Sequence, residues 1–328
     1  MQGSFLDIFC GTSKGTKSSK FLEEIDSVMP WYRINKLLSK WKDANTGRKG
    51  FSPETMFRMS LLKDFYGLSD ADTEELINDR ISFRRFMKID ISCPAPDETT
   101  LCRFRAWLTE NNLQEKLFNL VNKYLDKKGF FVKKGSLVDA TIVEAPMNKN
   151  NGEKDWIDKE ASSTKKGSRW YRGYKIHADI DPAHTLFAGV LTTTAKVADI
   201  TCLERLLSGA TESVIADKGY YSQELKRQLR SQGIHCGILD KAPKGKKLSN
   251  SQRKRNKKLS SARAFVEHPF NVIKNWFKFK KVRYVGIVKN TAHVFMLAMM
   301  HNIYKVRKLL EPELSIASHL GPSVSKMH

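Results

Sequence analysis

The chain has 328 residues, of which 41% are hydrophobic and 10% aromatic, and this composition excludes general disorder. Its 57 Lys and Arg against 35 Asp and Glu give a formal net charge of +22, which favours nucleic acid, or less often an anionic membrane surface, as partner. The five cysteines have neither metal-site nor disulfide-framework spacing. Because no signal peptide and no apolar run of ~20 residues is present, we predict a soluble cytoplasmic protein without a membrane partner.

Helical patterns dominate the first part of the chain. Ser52 followed by Pro53 is typical of a helix start, and Ser69 with Asp72 resembles a capping box. Apolar residues then recur at helical spacing until the sequence DKKG. We therefore predict an all-helical N-terminal domain over residues 1–134.

The hydrophobic period changes at residue 136. SLVDATIV, YKIHADI and LFAGVLTTT predict three strands, and a helix, a strand, a helix and the fifth strand, HCGILD, follow them. After a long basic stretch, a final helical segment is predicted from about residue 261. These elements predict an α/β domain over residues 135–310, with one mixed five-stranded sheet and flanking helices, and a C-terminal tail over 311–328.

Two aspartates stand at positions where a charge is costly. Asp139 lies inside the apolar strand VDATIV, and Asp217 ends the strand VIAD. A buried carboxylate is strongly disfavoured unless it is paired or bound to a cation, so two of them on neighbouring strands suggest a shared cation. Each aspartate could instead cap a turn or pair with a lysine, and Lys218 is a ready partner for Asp217.

A third carboxylate lies in the final helical segment. On a regular helix Arg263, Glu267 and Lys274 fall within about half a turn of one face. Glu267 is the only acidic residue between Asp240 and Glu311, which argues against a solvated ladder of salt bridges. Oxygen ligands favour Mg²⁺ or Mn²⁺, and two aspartates with one glutamate can hold two such ions about 3.5–4 Å apart for in-line attack on a phosphodiester.

Two basic segments flank the predicted acidic centre. Residues 241–258 hold nine Lys and Arg, and residues 165–175 interleave five cations with Trp170, Tyr171 and Tyr174. Cations contact phosphates and exposed aromatics stack on unpaired bases, although either segment could be a solubilising loop. The pattern favours DNA held across an active site. The candidate phosphate contacts of the second segment are Arg169, Arg172 and Lys175.

These motifs together resemble the bacterial insertion-sequence transposases of the IS5 group, which are of the DDE type and have an RNase H-like catalytic domain. The resemblance covers roughly residues 45–305. It rests on FSPETMFRMSLLKDFYGLSDADTEELINDRISFRRF and PDETTLCRFR in the helical region, and on VDATIVEAP, RGYKIH, IADKGYYS and SSARAFVEHPFNVIKNWF beyond it. In the family signature around the glutamate, Arg263 and Lys274 fit, whereas Ser260 stands at the tyrosine position.

The resemblance implies a DNA transposase that binds the terminal inverted repeats of its element, cuts their ends and joins the 3′ ends to target DNA. Asp139, Asp217 and Glu267 are then the catalytic ligands of a two-metal Mg²⁺ or Mn²⁺ site. Pairing two ends of double-stranded DNA requires two protomers, so a homodimer on DNA is expected. The helical domain would recognise repeat DNA or mediate dimerisation. Further expected DNA contacts are Arg263, Lys274 and Lys218, and Tyr220 and Tyr221 are expected either to pack or to contact the end nucleotides.

Two other functional classes stay open. The first is an RNase H-like nuclease, which would cut DNA without joining it. The second is a domesticated, non-catalytic DNA-binding protein, which would bind DNA and give no metal-dependent product.

Overall fold

The computed structural model describes residues 16–41, 50–131, 135–146, 157–207, 211–243 and 245–319, with side chains as far as residue 310. Two compact units divide these residues: those up to Asn111 together with those from Asn302 onward, and Asn112–His301. None of the described helices combines the length and the hydropathy that a bilayer-spanning segment needs. Cys10 lies outside the described residues, and the other four cysteines are free thiols.

The first unit is helical, which confirms the prediction of a helical N-terminal region. Its helices are α1 (Lys17–Val28), α2 (Trp31–Leu38), α3 (Pro53–Tyr66), α4 (Asp70–Asp79), α5 (Ile81–Met87) and α6 (Glu98–Glu110). The stretch ANTGRKG before α3 lies outside the described residues apart from its last glycine. The residues of the last helix from Asn302 onward also belong to this unit.

Side-chain caps begin α3 and α4 where the sequence predicts them. The Ser52 hydroxyl accepts a hydrogen bond from the Thr55 N–H at 3.1 Å, directly before the first helical residue, a proline. Ser69 and Asp72 make both hydrogen bonds of a capping box. The helix that begins at this box ends at Asp79, because the extended backbone of Arg80 separates α4 from α5.

The second unit contains all the described strands. Its elements are α7 (Leu113–Lys127), β1 (Ser136–Glu144), β2 (Ser162–Lys166), β3 (Arg169–Ile180), β4 (Phe187–Thr194), α8 (Leu203–Leu206), β5 (Ser213–Ala216), α9 (Gln223–Ser231), β6 (His235–Ile238), α10 (Asn250–Arg263), α11 (Glu267–Asn271) and the start of α12 (Ile287–His319). Short 3₁₀ turns cover Asp199–Cys202, Lys218–Tyr220 and Ala264–Val266, and a π-helical turn covers Val272–Trp276.

The strands form one mixed sheet, as predicted. The order is β2-β3-β1-β5-β6, and β4 also pairs with β3. β1 runs antiparallel to β3 and parallel to β5, and β5 runs parallel to β6. The described residues form six strands, one more than the five that the sequence indicates. The added strand is β2, whose residues SSTKK lack the apolar alternation that marks a half-buried strand.

The strand pairings place the two aspartates at adjacent positions. Val138 of β1 lies opposite Ala216 of β5, and each aspartate is the next residue in its chain direction. On its other side β1 pairs with β3 along eight residues, including Asp139 opposite Ala178. β1 is therefore paired along both edges as far as Val138, and Asp139 is paired on the β3 side directly after that point.

Helix α10 occupies much of the predicted basic stretch. It begins at Asn250, with a capping box between Ser249 and Gln252, whereas the sequence predicts the last helical segment to begin near residue 261. None of its residues is buried, so it has no apolar stripe from which periodicity could reveal it. The last helix, α12, continues to His319 and so includes part of the predicted C-terminal tail.

Candidate active site

Asp139 and Asp217 are joined by one guanidinium group. Arg263 Nη2 lies 3.2 Å from Asp139 Oδ2, and Arg263 Nη1 lies 3.5 Å from Asp217 Oδ1. The arginine is the last residue of α10 and is followed by the 3₁₀ turn, which packs against β1. Two acidic oxygens from neighbouring strands thus face a single cation position.

Asp139 is the more buried of the two aspartates, and its burial changes its pKa. Burial raises the pKa of Asp139 above its usual value although the Arg263 charge opposes the rise, and the charge of Asp217 adds to it. Asp217 is more exposed, and its Oδ1 accepts the Lys218 N–H at 2.7 Å, which caps the 3₁₀ turn that follows. Asp217 therefore caps a turn through its neighbour's backbone, while the Lys218 side chain is exposed.

Glu267 is the exposed first residue of α11. Within the described ranges, no group of three or more His, Cys, Asp or Glu side chains is placed to hold a metal ion. The structure thus brings Asp139, Asp217 and Arg263 together, and it does not gather Glu267 with the two aspartates into such a group.

The backbone between Arg263 and Lys274 explains this arrangement. The predicted regular helix is wrong, because the segment changes from α-helix to the 3₁₀ turn, to α11 and then to the π-helical turn. Pro269, inside α11, has no N–H for the Phe265 carbonyl, and a proline ring also crowds the carbonyl four residues earlier. Tighter and wider turns rotate successive side chains differently, so the spacing of a regular helix does not apply.

Lys274 lies in the π-helical turn and is anchored to β1. Its Nζ donates a hydrogen bond to the Ile142 carbonyl oxygen at 2.8 Å. Burial lowers the pKa of Lys274, and the nearby Lys166 charge lowers it further. In this conformation the predicted phosphate contact instead fixes the helical segment to the strand that carries Asp139.

In the basic hairpin of β2 and β3, some cations are exposed and others are hydrogen-bonded to the protein. Arg169 is exposed, with its guanidinium 5.0 Å from the Tyr171 ring centroid, beside a Trp170 side chain that is 66% exposed. Arg172 donates to the Asp158 carbonyl oxygen at 3.0 Å. Only the tip of the hairpin therefore presents unburied cationic and aromatic groups together.

The two predicted tyrosine contacts also differ from each other. Tyr220 is 1% exposed, so its ring is not accessible to end nucleotides in this conformation. Burial raises the pKa of Tyr220, with further contributions from the charges of Asp199 and Asp139. Tyr221 is half-buried, and Lys226 Nζ lies 4.5 Å from its ring centroid.

The motifs identified Lys175 only as a DNA contact and missed the polar network that it forms with residues of β3, β4 and the 3₁₀ turn at Asp199. Lys175 Nζ pairs with Asp199 Oδ1 at 3.0 Å, and the buried His177 Nε2 lies 2.9 Å from Thr193 Oγ1. Burial lowers the pKa of His177 to about 4, although Asp199 opposes this change. The alternation in YKIHADI, which puts Lys175, His177 and Asp179 at every second position of a strand, is the sequence signal for this network.

Comparisons with known proteins place the chain among DNA-rearranging enzymes. A family model described as a transposase DDE domain matches residues 131–303, and a second, described as a transposase domain, matches residues 12–107. Among solved structures, a cryo-EM structure of the piggyBac transposase synaptic complex with hairpin DNA is 14% identical. The similarity covers 92% of this chain and 75% of that chain, at a TM-score of 0.41.

Proposed function

The chain belongs to the transposase DDE domain family, and on this premise we propose that it binds the terminal inverted repeats of its own insertion sequence, cleaves their ends and transfers the strands to target DNA. It is a DNA transposase, and domains of this family generally use divalent metal ions. The observation that carries the proposal is the pair of adjacent carboxylates, Asp139 and Asp217, facing one cation position.

The oxygen atoms of this pair suit a hard divalent ion. Asp139 and Asp217 offer carboxylate oxygens only, which favour Mg²⁺ or Mn²⁺ over softer metals. A bound pair of such ions would activate the attacking hydroxyl or water and stabilise the leaving oxygen. Asp139 would be the rigid ligand, because its strand is paired along both edges. Asp217, which caps the 3₁₀ turn after β5, would be the second ligand beside it.

Glu267 is proposed as the third ligand. It is the only acidic residue of the helical segment 250–276, and Arg263, four residues before it, already lies against both aspartates. The 3₁₀ turn between these two residues is the place where a change in helical winding would rotate Glu267 relative to the pair. The triad therefore remains a proposal that requires this adjustment.

Helix α10, which ends at Arg263, carries four exposed cations. One side of the helix is fixed to β6, because Arg255 donates to the Cys236 and Ile238 carbonyl oxygens at 2.7 and 3.0 Å. Asn256 and Asp240 add reciprocal hydrogen bonds at 2.9 and 3.0 Å. We propose that the exposed cations of α10 contact duplex phosphates. These cations are Arg253, Lys254, Lys257 and Lys258.

The remaining parts of the proposal concern DNA-end recognition. We propose that a helical N-terminal domain over residues 1–134 recognises the repeat sequence or mediates dimerisation. A catalytic domain over residues 135–310 would act on the DNA, and residues 311–328 would form a C-terminal tail. Two protomers would hold the two ends, because each end needs its own catalytic centre. The exposed Trp170 at the hairpin tip would stack on an unpaired base beside the cut.

The test uses the purified protein and a duplex that ends in the repeats bordering its gene. Asp139→Asn and Asp217→Asn should abolish cleavage and strand transfer in Mg²⁺ or Mn²⁺, while DNA binding measured by fluorescence anisotropy persists. Asp79→Asn, an exposed change in α4, is the matched control and should retain both activities.

The products separate the proposal from its two alternatives. A pre-cleaved end that is joined to target DNA supports a transposase, whereas cutting without joined product indicates a nuclease. DNA binding by the unaltered protein without any metal-dependent product indicates a non-catalytic protein. Cleavage retained in either aspartate variant would remove that residue from the site.

A further inference from the structure

Arg263 makes contacts that a simple phosphate-binding residue would not need. Its two terminal nitrogens reach carboxylates on two different strands, at 3.2 Å from Asp139 and 3.5 Å from Asp217. The arginine side chain is 23% exposed, against 19% for the Asp139 side chain and 36% for that of Asp217. A partly buried guanidinium is thus divided between both members of the proposed ligand pair.

The charges explain why the pair needs a cation. Two carboxylates at adjacent strand positions repel each other, and the repulsion is weakly screened where the side chains are partly buried. One guanidinium supplies a single positive charge against two negative charges. A divalent ion would balance both negative charges, and the two carboxylates that pair with Arg263 would hold it.

We propose that Arg263 is the internal counterion of the carboxylate pair and that a divalent ion displaces it, which frees the guanidinium to bind a DNA phosphate. This inference rests on the proposed function, because it takes the ion and the phosphodiester from that reaction. Arg263 is then a positioning residue with two alternative partners, acidic oxygens before the ion binds and phosphate oxygens afterwards.

The surroundings of Arg263 allow this exchange. Arg263 is the last residue of α10, and the same helix carries the exposed cations that are proposed to contact DNA. DNA bound to this helix would therefore lie close to Arg263. Its Nε atom is buried and has no hydrogen-bond partner among the described residues, so its present position does not satisfy every donor. A phosphate can accept two parallel hydrogen bonds from one guanidinium, which satisfies more donors at once.

Coupling between the two ligands follows from the shared residue. A divalent ion that expels Arg263 increases the affinity for DNA, and DNA that captures Arg263 increases the affinity for the ion by the same factor. Removal of the guanidinium should therefore strengthen ion binding by the protein alone and abolish the mutual strengthening.

The experiment measures Mn²⁺ binding by electron paramagnetic resonance, without DNA and then with a saturating uncleavable duplex. Arg263→Gln should bind Mn²⁺ about 10-fold more tightly than the unaltered protein without DNA, within the usual range of coupling factors. The duplex should tighten Mn²⁺ binding in the unaltered protein and leave Arg263→Gln unchanged. Arg227→Gln, an exposed change in α9, controls for the lost charge and should behave like the unaltered protein.

Equal or weaker Mn²⁺ binding by Arg263→Gln would overturn the inference, provided that Asp139→Asn, made in the protein that keeps Arg263, abolishes Mn²⁺ binding. If Mn²⁺ binding were indifferent to Asp139→Asn, the proposed metal site itself would fail. Arg263→Lys serves if the glutamine variant does not fold. One ammonium cannot bridge both carboxylates as the guanidinium does, so Lys should also tighten Mn²⁺ binding, and unchanged affinity would count against the counterion role.

Discussion

Lys175 and Asp199 form an ion pair in the second unit, with Nζ 3.0 Å from Oδ1 and side chains 14% and 29% exposed. The same ammonium donates to the Val197 carbonyl oxygen at 2.8 Å. Lys175 was predicted to contact DNA, and in this conformation its donors are directed to the protein. The pair holds the 3₁₀ turn that begins with Asp199 against β3, the strand adjacent to that of Asp139.

Lys175→Met should therefore lower stability more than DNA affinity. The change leaves a partly buried Asp199 without its cation, and a hydrogen bond to a charged group contributes about 1.5–3 kcal/mol. Urea unfolding measures the loss. Asp199→Asn in the same background should recover part of it, and the double-mutant cycle gives the coupling. A large loss of DNA affinity with unchanged stability would restore the phosphate-binding role.

Glu267→Gln should lose DNA cleavage while its melting temperature stays unchanged. The side chain is exposed, so the fold gains little from it, whereas loss of a proposed metal ligand should cost at least the roughly 10–100-fold that second-layer residues cost. Glu224→Gln, on the exposed start of α9, is the control. Cleavage rates of the two variants that agree within twofold would exclude Glu267 as a ligand.

Neutralising the four exposed cations of α10 to glutamine should weaken DNA binding without regard to sequence. Each lost phosphate contact lowers the slope of log affinity against log salt by about 0.9 for duplex DNA. Helix position should be retained, because Arg255 and Asn256 hold α10 to β6 and its adjoining loop. Binding titrations at several salt concentrations measure the slope, and an unchanged slope would place the phosphate contacts elsewhere.

Asp179→Asn should raise the melting temperature at pH 8 and have a smaller effect at pH 5. Burial raises the pKa of Asp179 from 3.8 to about 7, although Ser136 donates a hydrogen bond to it, and the charge of Asp181 contributes to the rise. Between pH 4 and 7 the folded protein therefore holds a proton that the unfolded chain has released, so stability falls as pH rises through this window. Asparagine removes that dependence. An equal loss of melting temperature at both pH values would show that the ionised carboxylate stabilises the fold.

The elements with a clear apolar period or a side-chain cap were predictable. Ser52 and Ser69 mark helix starts because their hydroxyls satisfy free N–H groups locally, and this chemistry is visible within four residues of sequence. The neighbouring strands that bring Asp139 and Asp217 together followed from strand order, while their role as metal ligands stays a prediction. Two elements without apolar burial, β2 and α10, have no apolar period. The capping box of Ser249 and Gln252 is the one local signal for α10 that the sequence contains.

Side-chain environments were the least predictable feature. A lysine in a basic, aromatic-rich stretch looks like a DNA contact, but Lys175 and Lys274 are directed inward by partners far away in sequence. Tyr220 lies within the motif IADKGYYS, where the sequence predicts an active site, and yet it is buried. Pro269 signals an irregular helix, but the direction in which each turn rotates Arg263, Glu267 and Lys274 depends on how the segment packs against β1.

The double pairing of β1 determines which side of the proposed reaction centre can change its conformation. Asp139 belongs to a strand whose backbone is hydrogen-bonded to β3 on one side and to β5 on the other, so its carboxylate cannot travel without breaking the sheet. The helical segment 250–276, which carries Arg263 and Glu267, changes between α-, 3₁₀- and π-helical turns within 27 residues. One type of helical turn can convert to another without breaking the hydrogen bonds of the strands. Substrate-driven assembly of this centre would then be a rewinding of one helix over a stationary sheet edge.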